Sequence, residues 1–297
     1  MKPSVAIVGC GVVGTALGQL LAKAGYTITG IATRDLESAQ RAAKKVRTER
    51  FSDCPWEISK CAQVVFITTP DDAIASTCSA IADNRGFDKG AVVVHCSGAL
   101  SSEILSSARD CQASVASLHP LQSFASVEQA VKILPGSYCA VEGDSSALVV
   151  VHQLVEALGG VYTEITSNGK TLYHAAAVVA SNYLVTLLDV ALTLNSLAGM
   201  PRQVSFNALR PLIDGTLKNI ESKGIPQALT GPIARGDKGT VRAHLKTMAK
   251  SSADLATIYK ALGCHTVNLA KAKGTLSAET AEELFSLFQC EELIDVD

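Results

Sequence analysis

Residues 4–18 read SVAIVGCGVVGTALG. Val5-Ala6-Ile7-Val8 is an apolar, β-branched run too short for a free helix, and it reads as a strand buried on both faces. Gly9, Gly11 and Gly14 follow at G-x-G-x-x-G spacing, and a helical pattern then runs from Val12 to Lys23. Gly9 allows a tight turn, Gly11 lets a pyrophosphate approach the backbone, and Gly14 lets the helix pack on the strand. The free N–H groups at the helix start and the positive end of its dipole then face the phosphates. Such a motif counts only with a strand before it, a helix after it and a second strand about twenty residues on; residues 26–32 supply that strand. The turn from Gly9 through Cys10, Gly11, Val12 and Val13 to Gly14 is thus the expected dinucleotide-binding backbone. Lys2 ahead of an apolar segment has the outline of a secretory signal, but three placed glycines and the lack of a clean small-x-small cleavage site argue against it.

The second strand ends in Thr33-Arg34-Asp35. A ribose 2′-hydroxyl asks for an acid at this point, whereas a 2′-phosphate asks for hydroxyls and arginine. Arg34 can grip a phosphate in two-pronged fashion, and Asp35 is placed to cap the next helix, 36–46. Thr33 and Arg34 therefore favour NADP over NAD. Further apolar runs at 64–68, 91–94, 114–118, 138–141 and 161–165 alternate with helical patterns. That alternation means a doubly wound parallel α/β sheet over residues 1–165. Ligands of such sheets gather outside the carboxyl ends of the strands. Thr69 and Pro70, Ser97, and His119 with Gln122 all fall at such ends, with Asp71 or Asp72 as a helix cap.

From Thr166 the strand pattern stops, and residues 166–297 read as an all-α domain. Asn168-Gly169 opens a helix of about thirty residues with apolar positions from Leu172 to Leu197 at helical spacing. Helices follow near 203–223, 240–249, 251–262 and 277–289, with Ser251 and Ser277 as N-caps. Residues 175–194 are apolar enough to raise a membrane span, but His174, Asn182 and Asp189 form one polar strip along them. A buried helix is expected instead.

Composition narrows the class. The chain has 297 residues, 47% hydrophobic and 18% charged, as in an ordinary globular protein of two domains. A net charge of −2 gives no attraction to nucleic acid or an anionic membrane. Nine cysteines, none in a C-x-x-C pair, suggest neither a disulfide framework nor a metal site, and a reducing compartment, the cytoplasm, is expected.

The candidate chemistry is that of hydride transfer. Imidazole exchanges protons near neutral pH, so His119 is the expected general acid/base, with Ser97 orienting the reacting oxygen. His174, Ser181 and Asn182 share one side of the long helix, where His174 and Asn182 can position substrate or hold helices together. The stretch 229–237, LTGPIARGD, offers Arg235 as a clamp for a substrate carboxylate or as a surface partner of Asp237.

With these residues assembled, the chain resembles the proteins whose Rossmann domain precedes a helical domain of the 6-phosphogluconate dehydrogenase type. These include β-hydroxyacid dehydrogenases, ketopantoate reductase, pyrroline-5-carboxylate reductase and prephenate dehydrogenase. It is most similar to the branch joining a Rossmann-like domain to a C-terminal domain of unknown function. His-Pro-Leu-x-x-Phe at 119–124, His174 with Ser181-Asn182, and the 229–237 stretch carry that resemblance. It implies a nicotinamide-dependent oxidoreductase acting on a small carbonyl, imine or hydroxy acid, and a homodimer through the helical domain. Ser97 and His119-Pro120 look like the hydroxyl-contacting pair of prephenate dehydrogenases. In β-hydroxyacid dehydrogenases a catalytic Lys lies four residues before the Asn matched by Asn182; here that position is Val178, and Val241 stands near a further acidic position. A non-catalytic NADP-binding sensor is the rival reading.

Overall fold

The computed structural model describes residues 2–289. The chain divides after Tyr183 into two compact units, where the strand pattern alone put the domain boundary at 165/166.

The first unit holds an eight-stranded sheet in the order β3-β2-β1-β4-β5-β6-β7-β8. Its strands are β1 (Val5–Val8), β2 (Ile28–Ala32), β3 (Phe51–Ser52), β4 (Val64–Ile67), β5 (Val92–His95), β6 (Ser114–Pro120), β7 (Tyr138–Gly143) and β8 (Val161–Glu164). Helices α1 (Val12–Lys23), α2 (Leu36–Val46), α3 (Pro55–Ser59), α4 (Asp71–Asp83), α5 (Ser106–Asp110), α6 (Val127–Ile133) and α7 (Ser145–Ala157) connect them. Alternation along β1 sends Val5 and Ile7 into one apolar layer and Ala6 and Val8 into the other, which is why this run has no polar face. Leu17, Ala43 and Val151 close the first layer, and Ile58, Ile74 and Ala108 the second. β1 pairs with both β2 and β4, so the chain reverses its winding there and opens a crevice at their carboxyl ends.

Two details depart from the sequence reading. β7 runs antiparallel to β6, with His119 opposite Ala140. A parallel neighbour needs a connection that returns the chain to the edge where β6 began. Here Cys139, near the start of β7, stands opposite Pro120 at the end of β6, so the chain re-enters from the edge at which β6 ended. The segment before α4 is the other departure, because its N-cap is Pro70 and neither Asp caps it; Asp35 does cap α2, accepting from Ser38 N at 2.8 Å.

The first unit ends in α8 (Lys170–Ala180) and the start of α9 (Asn182–Leu197), with Ser181 bent between them. The expected thirty-residue helix is thus present with a break. It is not buried as expected: the apolar stretch within 167–197 has no buried residue in its most apolar window. Leu172 is 77% and Val185 68% exposed. The spacing of its polar residues marked one face but carried no information on whether the chain itself covers the other. By length and composition alone this helix is long enough to cross a membrane.

The second unit is helical, with α10 (Arg202–Lys223), α11 (Lys238–Ser251), α12 (Ala253–Lys273) and α13 (Ala278–Phe288). Ile233, Val241, Val267, Leu284 and Phe288 form its core. Phe288 presses on Gly263, where a Cβ would stand 2.5 Å from the ring Cζ. Ser277 caps α13 as expected, but the cap of α12 is Ser252 in place of Ser251. α12 continues to Lys273, well past the expected 262. Seven cysteines are free thiols; Cys264 is not, and Cys290 lies outside the described residues. Spacing along the chain does not say which thiols meet in space.

Candidate functional site

The Gly-rich turn has the geometry its sequence requires. Gly9 sits at φ +88°, and a Cβ there would stand 2.6 Å from Thr69 N. At Gly14 a Cβ would collide with Gly9 O and Thr68 Oγ1, and Thr68 donates to that same carbonyl. A Cβ at Gly11 would meet nothing within 4 Å, so the space above it is open. Gly11 is also the N-cap of α1 and gives no side-chain cap, which leaves the N–H groups around Val12 and Val13 for an outside acceptor. Cys10 lies in the turn as an inert thiol, pushed up to about 12 by burial. Thr69 Oγ1 is buried without a hydrogen-bond partner, which a polar group bound at the end of β4, next to Pro70, would satisfy. Thr33 Oγ1 donates to Asp35 O at 2.8 Å, while Arg34 is exposed. These residues fit a dinucleotide.

Next along the same edge, β5 ends at His95 and β6 carries His119. A cavity of about 550 Å³ opens here, lined by His119, Gln122, Tyr173, His174, Ser181 and Asn182 together with Val178 and the alanines of α8. Four sequence candidates, His119, Gln122, His174 and Asn182, therefore meet in one place. His119 Nδ1 shares a 2.8 Å hydrogen bond with Tyr173 Oη, and its ring stands edge-on to His174 with centroids 6.2 Å apart. His174 Nδ1 is buried without a partner. Gln122 accepts from Ser123 N at 2.9 Å.

Burial, followed by the charges of Lys170, His174 and His95, pulls His119 down to about 4, with Asp71 opposing. Tyr173 is pushed up to about 12, chiefly by burial. Both members of the pair are thus neutral near pH 7.

Ser97 does not meet this group as expected. Its hydroxyl donates to Asp71 Oδ2 at 2.7 Å and accepts from Ala99 N and Leu100 N, both at 3.1 Å. The single donor and both lone pairs are used, so Ser97 holds the β5 loop to α4 and has no proton left for a reacting oxygen. Arg235 belongs to the second unit, exposed at the end of the turn Ile233–Arg235, where its charge helps hold the Asp237 carboxyl low, after the hydrogen bonds from Thr240.

Sequence reasoning missed three residues. Tyr173 stands one position before His174 and carries no motif of its own, yet it lines the cavity and pairs with His119. Gly98 carries no motif, yet a Cβ there would stand 2.6 Å from His174 Nδ1 and 2.9 Å from His119 Nε2. Lys170 is 1% exposed and is the one buried residue of α8; a lysine at a helix start reads as solvated until the sheet beneath it is known.

Residues 1–120 match the family described as "Rossmann-like domain", and residues 137–266 match "Domain of unknown function (DUF2520)". No curated protein matches the sequence. Among solved structures, a protein from Thermotoga maritima is 27% identical with a TM-score of 0.70, covering 91% of this chain and 99% of its own. An imine reductase from a Pseudomonas species is 18% identical with a TM-score of 0.65, covering 97% and 99%. A reductive aminase from Aspergillus terreus, in complex with NADPH4, cyclohexanone and allyl amine, is 14% identical with a TM-score of 0.63, covering 96% and 100%. The last two share the fold with this chain.

Proposed function

We propose that this chain, a Rossmann-like domain followed by a DUF2520 domain, is a nicotinamide-dependent oxidoreductase acting on a small carbonyl, imine or hydroxy acid, with NADP preferred. The observation carrying the reading is the hydrogen-bonded His119–Tyr173 pair on the wall of a cavity. That cavity lies on the same sheet edge as an uncapped Gly-x-Gly-x-x-Gly helix start. Gly9 to Gly14 would hold the pyrophosphate, Thr33 and Arg34 the ribose phosphate, and Thr69 and Pro70 the nicotinamide side. The cofactor supplies or takes the hydride. His119 moves the proton of the reacting oxygen or nitrogen, with Tyr173 fixing its ring. His174, Gln122 and Asn182 orient the substrate among the alanines of α8. Arg235 is proposed to bind a carboxylate where the substrate has one.

The test is NADPH oxidation, followed by absorbance, with cyclic imines, ketones and 2-keto acids. Turnover of one of these classes supports an enzyme. NADPH binding without turnover of any supports a cofactor sensor instead, a reading favoured by Val178 lining the cavity where related dehydrogenases place a catalytic lysine.

Cofactor preference has its own measurement. Arg34→Ala is expected to weaken NADPH binding about tenfold or more and NADH binding little. A charged hydrogen bond to the 2′-phosphate contributes about 1.5–3 kcal/mol, and only NADPH has that group. Equal losses in fluorescence titrations of the two cofactors would overturn the NADP assignment.

The exposed apolar face of α9, with Val185 and Leu197 uncovered, is proposed to pair with a second copy of the chain, since an apolar patch of this kind marks an association surface. Light scattering at micromolar concentration should give the mass of a dimer. A monomer there contradicts the pairing.

A further inference from the structure

α8 is joined to the sheet in an unusual way. Its only fully buried residue is charged, although a methionine of similar volume would cost less to desolvate. Lys170 Nζ donates to Ser117 Oγ. Ser117 is itself fully buried on β6, in register with His95 of β5 and Glu142 of β7. Glu142 is 2% exposed, and its carboxylate accepts from Ser102 N at 2.8 Å, Ser102 Oγ at 2.9 Å and Ser167 Oγ at 2.6 Å. Three donors satisfy that buried carboxylate, and its negative charge supports the ammonium of Lys170 against the desolvation that lowers it.

The spacing then matters. Tyr173 and His174 lie three and four residues after Lys170, on the same helix face. His119 lies two residues after Ser117, on the same face of its strand. Two cross-links thus join α8 to β6 in step: Lys170 to Ser117 in the interior, and Tyr173 to His119 at the cavity.

We propose that Lys170 is a positioning residue for the His119–Tyr173 pair, setting the register of α8 on β6 and holding a fixed positive charge near the imidazole. This rests on the oxidoreductase reading for its effect on turnover, but not for its effect on His119 itself. The charged and titratable groups around His119 are Lys170, Tyr173 and His174 on α8, His95 at the end of β5, and Asp71 on α4. Among them burial is the first cause of the low value, and Lys170 is the largest of the charges.

The experiment compares wild type, Lys170→Met and the double variant Lys170→Met/Glu142→Gln in the full chain. The double variant removes both buried charges, so that neither is left unpaired if the single variant folds poorly. His119 is titrated by NMR of its imidazole, alongside kcat, KM and NADPH affinity. Loss of the ammonium should move the His119 midpoint upward from about 4, because a nearby cation disfavours the imidazolium. Turnover should fall about 10- to 100-fold from misplacement of the pair, with NADPH affinity unchanged. A His119 midpoint that stays in place in both folded variants overturns the proposal. If the midpoint moves but wild type neither binds NADPH nor turns over any substrate, the action of Lys170 on His119 stands and the oxidoreductase reading fails.

Discussion

His119→Asn is expected to lower turnover about 10²–10⁴-fold and to leave NADPH affinity unchanged. Asparagine keeps a hydrogen bond to Tyr173 but cannot cycle a proton. The pH dependence follows from the value of about 4. In the reductive direction His119 must carry the proton, and at pH 7 about one molecule in 10³ does so. The reductive rate should therefore climb as pH falls from 7 towards 4. In the oxidative direction the neutral ring accepts the proton, so that rate should hold between 7 and 5 and fall as pH drops through 4. Both limbs should vanish in His119→Asn. Normal turnover in that variant, with His174→Asn inactive, would place the proton on His174.

Gly98→Ala should cut turnover about 10²-fold without unfolding the protein. Its backbone needs no left-handed conformation, so the whole cost is steric. The added methyl would lie 2.6 Å from His174 Nδ1 and 2.9 Å from His119 Nε2, well inside contact distance, and both rings must rotate away. Thermal unfolding near the wild-type temperature, unchanged NADPH binding and a strongly reduced kcat are the expected set. Wild-type kcat would mean that the two imidazoles are not held against Gly98 during turnover.

The glycine turn proposed to hold the cofactor was legible because phosphate binding is a backbone property. Glycines at fixed offsets report it directly, and Gly9, Gly11 and Gly14 each occupy the position their spacing implied. The alternation of apolar runs likewise marked seven of the eight strands, all but the two-residue β3, since a central strand buried on both faces has no other composition available. The cavity was legible only in part. His119 stands at a strand end, which the topology rule singles out, and His174 and Asn182 share a helix face. Tyr173, Gly98 and Lys170 depend on how α8 lies on β6, a relation between segments far apart in sequence. Ser97 shows the opposite failure: its place at a strand end was read correctly, but its hydrogen-bond partners decide its chemistry, and those come from α4 and the loop after β5. The direction of β7 was missed because an apolar run reads the same whichever way the strand enters the sheet.

The contact between Phe288 and Gly263 has a consequence for the order in which the protein is made. The sheet unit holds its strands, both apolar layers and the Lys170 cross-link within the first 183 residues, whereas the helical unit cannot seal its core until Phe288 has left the ribosome. At about 5–20 residues per second, the sheet unit has a head start of roughly 5–20 s. During that interval α9 and α10 emerge with no finished core to join. The nascent helical half is therefore the stage at which a chaperone has most to bind, and ribosome profiling of chaperone-bound chains should show engagement rising once residues beyond 184 have emerged.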